Sequence, residues 1–182
     1  MMENQIEMVA VRLVREPPLM SKEPIHNPDD AVRVLGGYLC QMDREVICVV
    51  NLRNDGVPIN CSVCSIGAIN QAIAHPREIM KSAILSNASQ IIMMHNHPSS
   101  NLIPSKEDTR ITDRMVTICN ILGIPLVDHI IVGGDNSKCF SFREKNILPM
   151  ESLRLQDDYN KLNMGARVAE YDNTIYKIGR HR

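Results

Sequence analysis

The sequence predicts an α/β fold, and three observations predict it. Short apolar runs bounded by polar or turn residues read as buried strands, the clearest being Ile91-Ile92-Met93-Met94. Longer stretches with apolar residues at helical spacing open on Asn27-Pro28, His75-Pro76 and Pro104-Ser105, which are helix-start signals. The two kinds of segment alternate along the chain, as they do when helices pack on a sheet around a core.

Taken in order, residues 6–14 (I-E-M-V-A-V-R-L-V) alternate apolar and polar side chains and read as an edge strand. Pro17, Pro18 and Pro24 make an extended linker. Asn27-Pro28-Asp29-Asp30 supplies an N-cap, a proline in the first turn and two acids facing the helix dipole, so a helix is expected to about Met42. Residues 45–52 form the next strand, and Asn54-Asp55-Gly56 is a hairpin turn. The return strand covers residues 57–66 and ends at Gly67. A helix begins at His75-Pro76-Arg77-Glu78 and runs to about Asn87, with Ile79, Met80, Ala83, Ile84 and Leu85 on its apolar face. His75 stands just before it, either as a cap or packing residue or as a further imidazole donor.

Pro98 ends the strand that starts at Ile91, because proline has no N–H to give to a ladder. Ser105 is a good N-cap for a long helix from Lys106 to about Leu122, stopped by Gly123. Residues 124–132 are a strand interrupted by Asp128-His129. That pair reads either as a hydrogen-bonded brace of the sheet or as outer support for a metal site. Gly133-Gly134 turns the chain into a short last strand near residues 139–142. Beyond Pro149 the composition becomes charged and polar, with Tyr159, Tyr171 and Tyr176 interspersed, as in a short helix with a loose tail or an arm for a partner. The expected organisation is an N-terminal strand and linker over 1–27, one domain over 28–148 and a polar extension over 149–182.

Composition removes several function classes. A net charge of -1 provides no bulk basic field for nucleic acid or anionic lipid. No apolar run approaches the length of a membrane span. The first 14 residues carry acids and lack the basic-then-apolar order of a signal peptide, so a cytoplasmic setting is expected. The six cysteines sit mostly in apolar surroundings and suit free thiols in a reducing compartment. Cys61-x-x-Cys64 has the spacing of half a zinc site or of a redox motif, but no second pair follows, and on a strand the two side chains would face opposite ways. There is no internal repeat and no Gly-rich phosphate loop.

The chain is organised around residues 94–110, M-H-N-H-P-S-S-N-L-I-P-S-K-E-D-T-R. On a strand, His95 and His97 project from one face and Asn96 from the other. Asp108 lies in the first turn of the following helix. Two imidazoles and a carboxylate, with room for a water, are the donor set of an open catalytic zinc site. The plainer alternatives are a surface His-x-His pair and a capping box, Ser105-x-x-Asp108, which needs no metal.

The string His-x-His-Pro followed by Pro-Ser-x-x-Asp resembles the JAB/MPN (JAMM) metallopeptidase motif, and His-Asn-His-Pro-Ser resembles its bacterial RadC-like branch. His75-Pro76-Arg77-Glu78, Asn87-Ala88, Thr112, Leu122-Gly123-Ile124 and Asp128-His129 look like further signposts of that branch, and the resemblance covers roughly residues 28–148. Two residues depart from the pattern: Ser100 stands where glycine is usual, which opens the loop to a different bend, and Ala68 follows Gly67 where threonine is common.

The resemblance implies a single JAB/MPN domain of cytidine-deaminase-like architecture, with a mixed, curved β-sheet flanked by helices starting near Pro28, Pro76 and Ser105. It implies one zinc per chain on His95, His97 and Asp108. Glu45 becomes the general acid/base, although from the residues alone it reads equally as a solvated strand end. The Ser105 hydroxyl is expected to stabilise an oxyanion. The implied activity is hydrolysis of peptide or isopeptide bonds in a protein or peptide substrate, with a ubiquitin-like tail as one candidate and a homodimer as one assembly. The rivals are a DNA-repair-associated accessory role and a non-catalytic MPN scaffold. Scaffolds of that kind usually lose metal ligands, and this chain keeps all three. The branch often carries a helix-hairpin-helix region before this domain. The stretch before residue 28 is too short for one, and direct DNA binding is not expected.

Overall fold

A computed structural model of the chain describes residues 23–67, 75–135 and 137–148. The expected strand at 6–14, Pro17, Pro18, Ala68 and the extension from 149 lie outside the described residues.

The sheet has five strands in the order β2-β1-β3-β4-β5, built from β1 (Val46–Leu52), β2 (Pro58–Ile66), β3 (Gln90–His97), β4 (Leu126–Gly133) and β5 (Cys139–Ser141). β1 runs antiparallel to both β2 and β3, β3 and β4 are parallel, and β4 and β5 are antiparallel, so the sheet is mixed as expected. The β1–β2 hairpin turns at Asn54-Asp55-Gly56. Gly56 has φ +80, and a Cβ there would meet the Ile25 carbonyl at 3.2 Å, so glycine is required twice over.

Asn27 caps the first helical stretch by accepting from the Asp30 N–H. That stretch is α1 (Pro28–Ala31), a π-helical segment at Val32–Gly36, and α2 (Gly37–Leu39). It stops short of Met42. Two β-branched valines and the Gly36-Gly37 pair weaken α-helix propensity in this segment. His75 caps α3 (Pro76–Leu85), where its ring accepts from Arg77 N–H. Asn87, at φ 49, turns the chain out of α3 in the left-handed conformation that Asn tolerates. α4 (Lys106–Leu122) starts at the Ser105 cap and ends at Gly123, φ 67.

The sheet divides the apolar core in two. On one face Ile47, Val49, Ile91 and Met93 pack with Ile79, Met80 and Ala83 of α3 and Met115, Val116 and Cys119 of α4. On the other, Cys48, Val50, Ile92, Met94, Ile130 and Val132 pack with Ala31, Leu35 and Leu39. Cys61 leans on the second cluster and Cys64 on the first, so this pair does point to opposite faces. All six cysteines are free thiols, and burial pushes Cys64 and Cys119 up to about 12, which leaves them unreactive near neutral pH.

Gly123 offers a check on this architecture. Nothing lies within 4 Å of a Cβ built there, so Gly123→Ala tests backbone strain alone. A left-handed alanine costs about 1–2 kcal/mol, and urea unfolding of the variant should show that loss with an unchanged m-value.

Candidate metal centre

β3 is the central strand, and its last three residues build the site. His95 and His97 leave one face, and their Nε2 atoms lie 3.0 Å apart. Both rings are buried. α4 brings Asp108 to them: Asp108 Oδ1 is 3.2 Å from His95 Nε2, and Oδ2 is 3.4 Å from His97 Nε2. The donor atoms of the three residues all lie within 4.8 Å of one another. This buried group has the donor set for a metal ion.

The capping box and the donor cluster turn out to be one device. Ser105 N–H and Ser105 Oγ–H both donate to Asp108 Oδ2 at 2.7 Å, and Ser105 Oγ accepts from Asp108 N–H at 3.1 Å. The cap that starts α4 therefore also aims the carboxylate. The Ser105 proton is engaged with Asp108 in this arrangement.

His97 Nδ1 faces the Asn101 carbonyl. A carbonyl only accepts, so Nδ1 carries hydrogen there, and the neutral ring presents the lone pair of Nε2 to the cluster. A lone pair beside a carboxylate calls for a cation or a proton between them. Burial opposes the His97 imidazolium, but hydrogen bonds to Asp108 and the Asn101 carbonyl, with the nearby Glu45 charge, outweigh it and raise its pKa. Burial likewise opposes the Asp108 carboxylate, and its bonds to His95, His97 and Ser105 reverse that and hold its pKa well below the usual range. The residues fit a divalent metal: two imidazole nitrogens and one ionised oxygen, already convergent.

Glu45 lies immediately before β1 rather than within it, half-buried, and close enough for its charge to act on His97. Its backbone is held on three sides. Val46 N–H donates to Asn96 Oδ1 at 2.8 Å, Asn96 Nδ2 donates to the Arg44 carbonyl at 3.0 Å, and Gly67 N–H donates to the Glu45 carbonyl at 2.9 Å. Sequence reasoning placed Asn96 on the opposite face and missed its part in tying the backbone around Glu45 to β3. Its signal was a polar residue between two histidines, on the strand face otherwise occupied by Ile92 and Met94.

Asp128 and His129 part company. Asp128 faces the α1 side, accepting from Ser141 Oγ–H at 2.5 Å and from Arg143 N–H at 3.0 Å, and it braces the turn after β5. Burial raises its pKa against those bonds. His129 faces the donor group, with Nε2 2.9 Å from His95 Nδ1 and Nδ1 2.6 Å from Thr112 Oγ1. The bracing reading fits Asp128, while His129 bonds a member of the donor group. His75 lies exposed at the start of α3 and is not in the donor group. Ser100 takes φ 58, so a serine makes the left-handed bend that glycine favours, and its Oγ accepts from Gly134 N–H at 3.0 Å. The cavity beside the first turns of α4, about 430 Å³ and lined by Lys106, Arg110 and Phe142 among others, is not lined by the donor residues.

No helix among the described residues is long and apolar enough to cross a membrane. The family model of the RadC-like JAB domain matches residues 25–147. A UPF0758 protein of Clostridium beijerinckii is 40% identical over 124 residues, covering 68% of this chain and 53% of that protein. A UPF0758 protein of Clostridioides difficile is 41% identical over 127 residues, 70% of this chain and 53% of its own length. One from Moorella thermoacetica is 37% identical over 129 residues, 71% of this chain and 56% of its own length. The chain spans about half the length of these curated relatives. With the match reaching from the first helix to the end of the sheet, the chain belongs to the RadC-like JAB domain family.

Proposed function

We propose that the protein is a zinc-dependent hydrolase of peptide or isopeptide bonds in a protein or peptide substrate. The observation that carries this reading is the buried convergence of His95, His97 and Asp108 beside a glutamate whose backbone is clamped in place. His95, His97 and Asp108 hold the ion, and the borderline nitrogen donors with one carboxylate suit zinc. Zinc bound there supplies Lewis-acid polarisation of the scissile carbonyl and lowers the pKa of a water towards neutrality.

The remaining work falls to the chain's own groups. Glu45 accepts the proton of the attacking water and returns it to the departing amine. Ser105 serves the developing oxyanion, for which its hydroxyl has to turn away from Asp108 Oδ2. A cytoplasmic setting accords with six free thiols. A ubiquitin-like tail is one substrate of the right chemical class, because its linkage is an amide at a carboxyl terminus.

Protein purified from zinc-sufficient medium should carry about one zinc per chain by elemental analysis, as a single three-ligand site requires. Incubated with a peptide library and read by mass spectrometry, it should generate new termini that disappear after chelation and return with zinc. Metal-free wild-type protein from such medium, with His95 and His97 pointing apart in a crystal, would sink the proposal.

A further inference from the structure

A neutral imidazole has two tautomers, and only one of them lets His95 offer a lone pair from Nε2 to the donor cluster. We infer that a one-way hydrogen-bond relay, from the Asp108 carbonyl through Thr112 and His129, fixes that tautomer, making Thr112 and His129 positioning residues for His95. The inference rests on the metal-site reading above for its purpose, and on bond directions alone for its content.

The relay starts at an atom that cannot reverse its role. Thr112 Oγ1 lies 2.6 Å from the Asp108 carbonyl oxygen and 2.6 Å from His129 Nδ1. The carbonyl only accepts, so the single hydroxyl proton lies towards Asp108. Towards His129 the hydroxyl is then the acceptor, and His129 Nδ1 carries the hydrogen. The His129 ring is fully buried and stacks on Phe142 at 4.9 Å, and among the described residues it bonds to no carboxylate. A cationic ring is costly in such a place, so the ring is neutral and its Nε2 has a lone pair. That lone pair faces His95 Nδ1 at 2.9 Å, and only His95 can supply the proton between them. His95 is thereby protonated on Nδ1. Its Nε2 points a lone pair at the space shared with His97 Nε2, 3.0 Å away, and Asp108 Oδ1, 3.2 Å away.

Asp108 thus acts twice. Its side chain joins the cluster, and its main-chain carbonyl, one helical turn below Thr112, sets the hydrogen on the ligand opposite. The wrong tautomer would place an N–H where the metal belongs. Outer partners of this kind typically govern 10–100-fold in metal affinity.

The test uses the full chain, ¹⁵N-labelled and stripped of metal, with long-range ¹H–¹⁵N correlation of the histidine rings. His95 and His129 should each show a pyrrole-type Nδ1, with a pyridine-type Nε2 on His129, and a pyridine-type Nδ1 on His95 overturns the relay. Thr112→Val removes the hydroxyl while keeping the shape. It should weaken zinc about 10–100-fold and leave both rings as mixed tautomers, whereas Thr112→Ser should restore zinc affinity and the single tautomer. Unchanged zinc affinity and unchanged tautomers in Thr112→Val also overturn it. If that variant does not fold, the wild-type ring assignment decides the matter by itself. Zinc affinity of the wild type separately decides the reading beneath: a chain with the assigned tautomers and no zinc binding keeps the relay and loses the proposed hydrolase.

Discussion

Glu45→Gln should keep zinc and the fold while losing hydrolysis by about a hundredfold or more, the usual scale of a general acid/base contribution. Glutamine preserves the size of the side chain and cannot take up a proton near neutral pH. The clamp on this residue grips backbone atoms of Arg44, Glu45 and Val46, so it survives the substitution. Glu45 is not among the converging donors, so zinc content should stay near one per chain. The measurement is the initial rate of peptide-library cleavage, with zinc content and melting temperature determined on the same preparations. A variant that cleaves as fast as the wild type would return Glu45 to the status of a strand end.

His97→Ala should lose most of the bound zinc. One of only three protein donors disappears, so the affinity loss should exceed the 10–100-fold that an outer partner costs. The thermodynamic consequence is large. At free zinc a thousandfold above Kd, binding to the folded state alone stabilises the wild type by about 4 kcal/mol. Thermal unfolding with and without zinc should therefore show a clear upward shift for the wild type and little or none for His97→Ala. An equal shift in both proteins would place the metal elsewhere.

Much of this architecture was legible in local chemistry. Asn27-Pro28 and Ser105 mark their helix starts because capping is decided within four residues, and Gly123 marks an end because only a left-handed residue closes that helix. The two-residue period of a strand was enough to put His95 and His97 together and Asn96 opposite. What escaped was whatever depends on a partner far along the chain. Asn96 reaches residues 50 and 52 positions away, and no local pattern encodes that. Strand alternation alone sends Asp128 and His129 to opposite faces, but which face each one meets depends on a register irregularity between β3 and β4, where Ile91 pairs with Leu126 but Ile92 with Asp128. Such a bulge decides which face each side chain meets, and it has no reliable signature in one sequence. The bend at Ser100 was hidden for a different reason: the residue there is not the one its backbone conformation favours.

The alternation along the end of β3 also bears on how this chain can change length. Odd positions deliver the two imidazoles towards α4, and the even position between them ties down the backbone around Glu45. Inserting or deleting one residue between Met93 and His95 would swap the faces, pointing both rings into the apolar layer under α1 and the amide towards Asp108. A two-residue insertion would restore the faces and carry the rings about 6.6 Å along the strand, past the reach of the α4 carboxylate. This segment should therefore accept substitutions at some positions yet tolerate no insertion or deletion.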